Sequence, residues 1–184
     1  PTGSARLVSV FHLDSWRRKN LSGLAKAVNE LAKRLPDVRL DIFGGGSPAS
    51  LLEAREALAK SDARSLVRLS GPVANAEISQ TLKRYAAFVL PTLRESYGLV
   101  HAEALFAGLP IVHSRGMGID GVLPESTYMA GCDPRSVASI AEAMETLIRN
   151  EAAAKEALRE AQARGDLDPI RRKAVLDTYS SGLA

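Results

Sequence analysis

Two carboxylates in the middle of the chain, Glu95 and Glu103, are separated by seven residues that include Gly98. The segment 98–107 is mostly apolar with helical spacing, so Gly98 is expected to lie at the start of a helix. Amides at a helix N-terminus attract phosphate, and carboxylates accept hydrogen bonds from sugar hydroxyls. This arrangement favours a sugar nucleotide whose phosphates lie on the backbone between the two acids.

Two other interpretations of the acid pair stay open. In a glycosidase, two carboxylates lie across one glycosidic bond and act as acid and as base or nucleophile. Acids in a loop and on an amphipathic helix are also common as ordinary surface residues. The helix N-terminus between Glu95 and Glu103 favours phosphate over both alternatives.

A basic cluster of Arg17, Arg18 and Lys19 follows the first apolar segment. A parallel sheet binds its ligands at the loops that follow its strands, so the cluster is a candidate anion site. A solvated loop is the alternative interpretation.

Apolar segments of strand length alternate with segments of helical periodicity. This alternation predicts an α/β fold: a doubly wound, Rossmann-like parallel sheet of about six strands with helices on both faces. We expect a single domain over residues 1–184. The predicted strands are 7–13, 38–43, 66–70, 86–90, 110–113 and 127–130, and the predicted helices are 20–35, 49–60, 76–85, 98–107, 136–149 and one from 168.

The composition excludes several classes of protein. The net charge of +3 and the lack of a basic stripe with aromatic residues argue against a nucleic-acid partner. The single cysteine, Cys132, fits a reducing compartment, so we expect a cytoplasmic protein, with peripheral contact at the inner face of a membrane permitted by its positive charge. His12, His101 and His113 lack metal-ligand spacing, so no metal site is expected.

The segment from Pro91 to Pro110 contains Glu-x7-Glu followed by Ala-x-x-x-Gly-x-Pro. It resembles the core signature of the retaining, group 1 glycosyltransferases, in the C-terminal, donor-binding domain of their two-domain GT-B architecture. The segments 7–13, 40–46, 69–73 and 116–120 also resemble the family's first strand, second strand with its glycine turn, nucleobase-facing strand end and glycine loop, in that order.

The resemblance implies roles for individual residues. Glu95 would contact hydroxyls of the transferred sugar, Lys19 would stabilise the diphosphate and Glu103 would bind the ribose. The arginine that the family carries in its first strand falls on His12 here, so Arg17 or Arg18 is a candidate substitute. The other residues assigned to the donor are Ser96, Tyr97, Gly98, Leu99 and Val100 at the phosphate turn, Gly71 and Val73 near the base, and Gly116 and Asp120 in the glycine loop.

The resemblance also implies a substrate and a missing partner. The substrate would be a nucleoside-diphosphate sugar, with no separate cofactor, and the acceptor would be a glycan or a lipid-linked molecule. The N-terminal acceptor domain is absent from the 184 residues, so the isolated chain is expected to bind the donor but to be inactive.

Other functions remain as alternatives. They are a non-catalytic subunit that binds nucleotide sugars, a sugar-nucleotide epimerase domain, and an NAD(P)-binding domain. The last is suggested by the segment 44–49, which fits Gly-x-Gly-x-x-Ala after a strand. However, the next strand ends without the acid that would bind the ribose of a dinucleotide.

Overall fold

A computed structural model of the chain describes residues 2–95 and 98–171. These residues form six strands and six complete α-helices, which alternate as far as the fifth strand; the sixth strand follows the fifth without an intervening helix, and the last two helices are also consecutive. The strands are β1 (Arg6–Val10), β2 (Arg39–Phe43), β3 (Val67–Gly71), β4 (Ala87–Leu90), β5 (Ile111–Ser114) and β6 (Met129–Cys132). The helices are α1 (Leu21–Ala32), α2 (Pro48–Ala59), α3 (Asn75–Leu82), α4 (Leu99–Phe106), α5 (Val137–Arg149) and α6 (Glu151–Arg164).

The strands form one parallel sheet in the order β3-β2-β1-β4-β5-β6. Strands β2 and β3 therefore extend the sheet on one side of β1, and strands β4, β5 and β6 extend it on the other side. In such a sheet, ligands bind outside the carboxyl ends of the strands where the direction reverses, which here lies between β1 and β4. The predicted α/β, Rossmann-like fold of six strands is confirmed.

The core lies between the sheet and its covering helices. The buried face of α1 consists of leucine, alanine and valine side chains spaced three and four residues apart, and α1 packs against α5. The four residues of β4 are completely buried, as expected for a central strand that is covered on both faces. The buried centre of the sheet thus sets where the loops after β1 and β4 begin.

The first strand is shorter than predicted. It ends at Val10, and Leu13 begins a short 3₁₀ turn instead of continuing the strand to residue 13. The backbone amide of Leu13 donates to the carbonyl of Gly45 at 2.7 Å, while the Leu13 side chain is buried in the core. The apolar segment 7–13 is longer than the strand because Leu13, which lies in the turn, also packs its side chain into the core.

The alanine-rich, charged segment near residue 151 forms α6, which buries Ala154, Leu158 and Ala161. Of the final predicted helix, residues 168–171 are helical, and its remaining residues lie outside the described part of the chain.

Candidate functional site

The loop before α1 is bonded to the loop after β4. The amide of Leu93 donates to the carbonyl of Arg18 at 2.9 Å. The buried side-chain amide of Asn20 donates to the carbonyls of Pro91 at 3.0 Å and Pro134 at 2.7 Å. Asn20 has a positive φ of 62° and immediately follows Lys19. Asn20 was not among the residues predicted for the site, because a polar residue directly before an apolar helix is typical of a helix cap.

This contact brings together Lys19 and Glu95, the residues predicted to be catalytic through the diphosphate and the transferred sugar, respectively. Lys19 Nζ donates to Glu95 Oε2 at 2.7 Å, and the side chains are only 13% and 14% exposed. Because both side chains are largely removed from water, the attraction between their charges is screened less than that of an exposed pair. The pair fixes a cation and a carboxylate at the carboxyl end of β4.

The start of α4 is formed by Gly98, which has φ 73° and ψ 33°. The amides of His101 and Ala102 make the first hydrogen bonds of the helix, both to the Gly98 carbonyl. The amides of Leu99 and Val100 precede them, and such first-turn amides have no acceptor within a helix. They form an N-terminal turn suited to an anion. Ser96 and Tyr97, also assigned to this turn, lie outside the described residues.

The glycine loop after β5 covers this turn. Gly118 has φ 62°, and a Cβ atom built on it would lie 3.0 Å from Glu95 Cγ. A Cβ atom on Gly98 would lie 3.2 Å from the amide nitrogen of Ile119. The amide of Gly116 donates to Asp120 Oδ2 at 2.6 Å and so closes the loop on itself. Three loops, which follow β1, β4 and β5, therefore meet around Glu95.

Glu103 lies on α4, one turn after Leu99, and both residues are exposed on the same face of the helix. Partial desolvation raises the pKa of the Glu103 carboxyl above its usual value. Glu103 forms no ion pair with the residues in 2–95 and 98–171, so its oxygens are available to a ligand that donates hydrogen bonds.

The other candidate cations point elsewhere. The guanidinium of Arg17 pairs with Glu53 of α2 at 3.0 Å and lies over the ring of Trp16. Arg18 donates to Ser15, and the 63% exposed side chain of His12 lies 3.4 Å from Asp14. These three side chains contact the 3₁₀ turn and α2, whereas Lys19 contacts Glu95.

The end of β3 lies at the same edge of the sheet, beyond β2. Gly71 has φ 76°, and its carbonyl accepts the amide of Gly44 at 2.9 Å. Val73 follows and is half-buried. The segment predicted to face the nucleobase is thus hydrogen-bonded, through Gly71, to the glycine turn after β2.

That glycine turn is packed by the chain itself. A Cβ atom on Gly46 would lie 2.8 Å from Leu13 Cβ, and one on Gly44 would overlap the Phe11 carbonyl. Asp14 Oδ1 accepts hydrogen bonds from the amide and the hydroxyl of Ser47, the residue that caps α2, both at 2.9 Å. The backbone hydrogen bond from Ser47 is the main cause of the lowered pKa of Asp14. A carboxylate of the chain therefore lies at the start of α2, the end of a helix that otherwise attracts an anion.

A buried histidine beneath the site was not predicted. His101 is 2% exposed, and its Nε2 lies 3.2 Å from the Leu90 carbonyl. Burial lowers the pKa of His101 to about 4, so the ring is neutral at pH 7. Its Nδ1 has no hydrogen-bond partner among the described residues, and a Cβ atom on Gly98 would lie 3.3 Å from it. The ring therefore packs directly under the turn that begins α4.

Within residues 2–95 and 98–171, no cluster of three histidine, cysteine or acidic side chains is placed to hold a metal ion. In the same residues no helix has the length and apolar character needed to cross a membrane.

The sequence matches the family described as glycosyl transferases group 1 over residues 5–150. It is 32% identical over 165 residues to the glycogen synthase of Mycobacterium tuberculosis, an alignment that covers 89% of this chain and 38% of that protein. It is 36% identical over 96 residues to the GtfA subunit of the UDP-N-acetylglucosamine–peptide N-acetylglucosaminyltransferase of Streptococcus pneumoniae, covering 52% of this chain and 18% of that protein.

The fold is similar to the crystal structure of the pneumococcal O-GlcNAc transferase GtfA in complex with UDP and GlcNAc. The TM-score is 0.62 at 25% identity, and the match covers 96% of this chain and 35% of that chain. The chain therefore spans less than half the length of each of these relatives. With a match over most of its length and a six-stranded Rossmann-like fold, the chain belongs to the group 1 glycosyltransferases.

Proposed function

We propose that this chain is the donor-binding domain of a retaining glycosyltransferase and binds a nucleoside-diphosphate sugar. The observation that carries the proposal is the Lys19–Glu95 ion pair, which lies beside the start of α4 and under Gly118. A cation, a carboxylate and a helix N-terminus in one place match a ligand that carries both phosphates and hydroxyls.

In this proposal the diphosphate binds the amides of Leu99 and Val100 and the ammonium group of Lys19. An ammonium has three donors, so Lys19 can hold Glu95 and a phosphate oxygen at the same time. Negative charge grows on the diphosphate as the glycosidic bond breaks, and fixed donors stabilise that charge. We propose that these groups suffice without a metal or another cofactor.

The two acids would bind hydroxyls at different parts of the donor. Glu95 would accept hydrogen bonds from the transferred sugar, and Glu103 from the ribose. Glu103 lies one turn along α4 from Leu99, a rise of about 6 Å, which separates the ribose from the phosphates by a suitable length. The base would then extend toward Gly71 and Val73, with Asp120 on the opposite side of the phosphates.

The acceptor would be a glycan or a lipid-linked molecule held by a second domain, because the relatives are much longer than this chain. The isolated chain would then bind the donor without transferring sugar. The Asp14 carboxylate at the start of α2 argues against the NAD(P)-binding alternative. A non-catalytic subunit would bind the same donor. An assay of sugar transfer after addition of an acceptor domain would distinguish such a subunit from the donor-binding domain of an enzyme.

Calorimetric titration with UDP, GDP and ADP tests the proposal, and at least one of them should bind. Glu103→Ala should weaken nucleotide binding by about 10- to 150-fold, because a hydrogen bond to a charged group is lost. Glu95→Ala should mainly reduce discrimination among sugars. Glu156→Ala, on the exposed surface of α6, is the matched control. Absence of binding to all three nucleotides at millimolar concentration, or unchanged affinity in Glu103→Ala, would contradict the proposal.

A further inference from the structure

One edge of the sheet carries a groove between α2 and β3, the β3 groove. Its volume is about 560 Å³, and it is bounded by the second half of α2, the loop that follows this helix and the start of β3. Strand β2 separates β3 from β1. The β3 groove is therefore separate from the proposed donor site, which lies at the ends of β1 and β4.

The backbone of β3 has an open side. The strand pairs with β2, and no other strand of the described residues lies beside it. The carbonyl of Leu66 accepts the amide of Leu40 on β2 at 2.9 Å. Because peptide groups alternate in direction along a strand, the carbonyl of Val67 and the amide and carbonyl of Leu69 face away from β2. An edge of this kind can pair with another extended chain.

The inner surface of the β3 groove is apolar. Leu58 of α2 and Val67 of β3 are buried, Leu69 is half-buried and Ala59 is exposed. An extended chain beside β3 would direct every second side chain to the same face. Apolar residues at alternate positions of such a chain would therefore pack against these side chains and lose contact with water.

The charges of the β3 groove are all positive. Arg55, Arg64 and Arg68 line it, and no acidic residue of the described chain does. Arg55 and Arg64 form no ion pair with any residue in 2–95 and 98–171. Arg68 Nε donates to Asp41 at 2.7 Å, but its side chain is 68% exposed, and a guanidinium has further donors for a second carboxylate. The groove therefore attracts a negatively charged ligand.

The combination of these features favours an acidic polypeptide over other occupants. A second copy of the chain paired through this edge would place arginines opposite arginines, and like charges opposite each other on paired strands are destabilising. A free phosphate would leave the apolar surface and the open strand edge unused. The described residues that line the groove include no aromatic side chain on which a nucleic-acid base could stack.

We propose that the β3 groove binds an extended, acidic segment of a partner protein. The segment would lie beside β3 as a seventh strand and would form hydrogen bonds with the backbone of Val67 and Leu69. Its acids would pair with the three arginines, and its apolar residues would pack between α2 and β3. This site goes beyond the proposed donor site and does not depend on it.

The test is an NMR titration of the ¹⁵N-labelled chain with a blocked heptapeptide in which glutamate and valine alternate. We expect saturable shifts around β3. The amide of Leu69 should exchange with solvent about tenfold more slowly when about nine-tenths of the chain is bound, because it gains an acceptor. The control peptide has lysine in place of each glutamate and should not bind. Saturating UDP should leave binding of the acidic peptide unchanged.

The variant Arg55→Ala/Arg64→Ala tests the charges. Neither arginine has an ion pair in the described residues, so their loss should leave the fold intact. Binding of the acidic peptide should weaken about tenfold, because two exposed ion pairs are lost. Arg159→Ala is the matched control, since it removes an exposed arginine from α6 and should leave peptide affinity unchanged.

The inference would be overturned by absence of protection at Leu69, by equal binding of the lysine peptide, or by unchanged affinity in the double variant. Protection of Leu69 that rises with protein concentration in the absence of peptide would also overturn it, because a second copy of the chain would then occupy the edge. Failure of the donor proposal is seen separately, as absence of UDP binding while binding of the acidic peptide is retained.

Discussion

Removing either member of the Lys19–Glu95 pair should destabilise the domain, and removing both should cost less than the sum of the two single changes. The variants are Lys19→Met, Glu95→Gln and their combination. Each single change leaves one charge in a site where the native side chains are 13% and 14% exposed, so the remaining charge is poorly solvated. The double variant leaves neither charge.

The magnitude follows from the geometry. At 2.7 Å, and with an effective dielectric constant of about 20, the Coulomb attraction between the two charges is roughly 6 kcal/mol. Much of this offsets the cost of taking both ions out of water. Breaking a buried pair from one side costs about 3–5 kcal/mol, and the residual exposure places this pair near the lower limit. We therefore expect about 3 kcal/mol of destabilisation for each single variant and a coupling free energy of about 2 kcal/mol.

Urea unfolding followed by the fluorescence of Trp16, the single tryptophan of the chain, measures these free energies. Arg159 and Glu156 on α6 form a control pair, with side chains that are 74% and 54% exposed, and should show no measurable coupling. Additivity of the Lys19 and Glu95 variants within about 0.5 kcal/mol would refute the interpretation of this pair as a buried, mutually dependent unit.

Two further outcomes are expected. As the pH decreases from about 6.5 to about 4, the contribution of His101 to the free energy of unfolding should fall by about 3 kcal/mol, because His101 gains a proton in the unfolded chain before it does so in the folded chain. Urea unfolding of His101→Met over the same pH range should lack this decrease. Gly118→Ala places a Cβ atom 3.0 Å from Glu95 Cγ and should weaken nucleotide binding about tenfold by calorimetry. Gly116→Ala is the control, because Gly116 also has a positive φ, of 73°, but nothing lies within 4 Å of a Cβ atom built on it. If both variants lost the same nucleotide affinity, backbone strain alone would explain the loss, and the contact with Glu95 would not be responsible.

The fold could be predicted from the sequence because both faces of its strands are apolar. The completely buried strand β4 lies within the predicted segment 86–90, and the spacing of apolar residues predicted α1 and α5. The predicted end of the first strand was wrong at Leu13, because burial of a side chain does not distinguish a strand from a turn that packs on the core.

The placement of Glu95, Gly98 and Glu103 around the start of one helix could be predicted, because one motif supplies these residues in order. The sequence could not show which of three consecutive cations contacts Glu95. That depends on Asn20, which fixes the loop through two carbonyl groups distant in sequence. His101 was also missed as part of the site, since a histidine on an apolar helix face gives no sign of what its second nitrogen faces.

The hydrogen bonds between Asp14 and Ser47 affect where the proposed, negatively charged donor would bind. The carboxylate is a permanent internal substitute for an external anion at α2, so a phosphate approaching that helix is repelled. In the proposed donor site, selectivity for α4 would then arise from repulsion of a phosphate at α2 as well as attraction at α4. A glycine-rich turn after a strand is thus an incomplete guide to nucleotide binding, because a neighbouring acid can cancel its attraction.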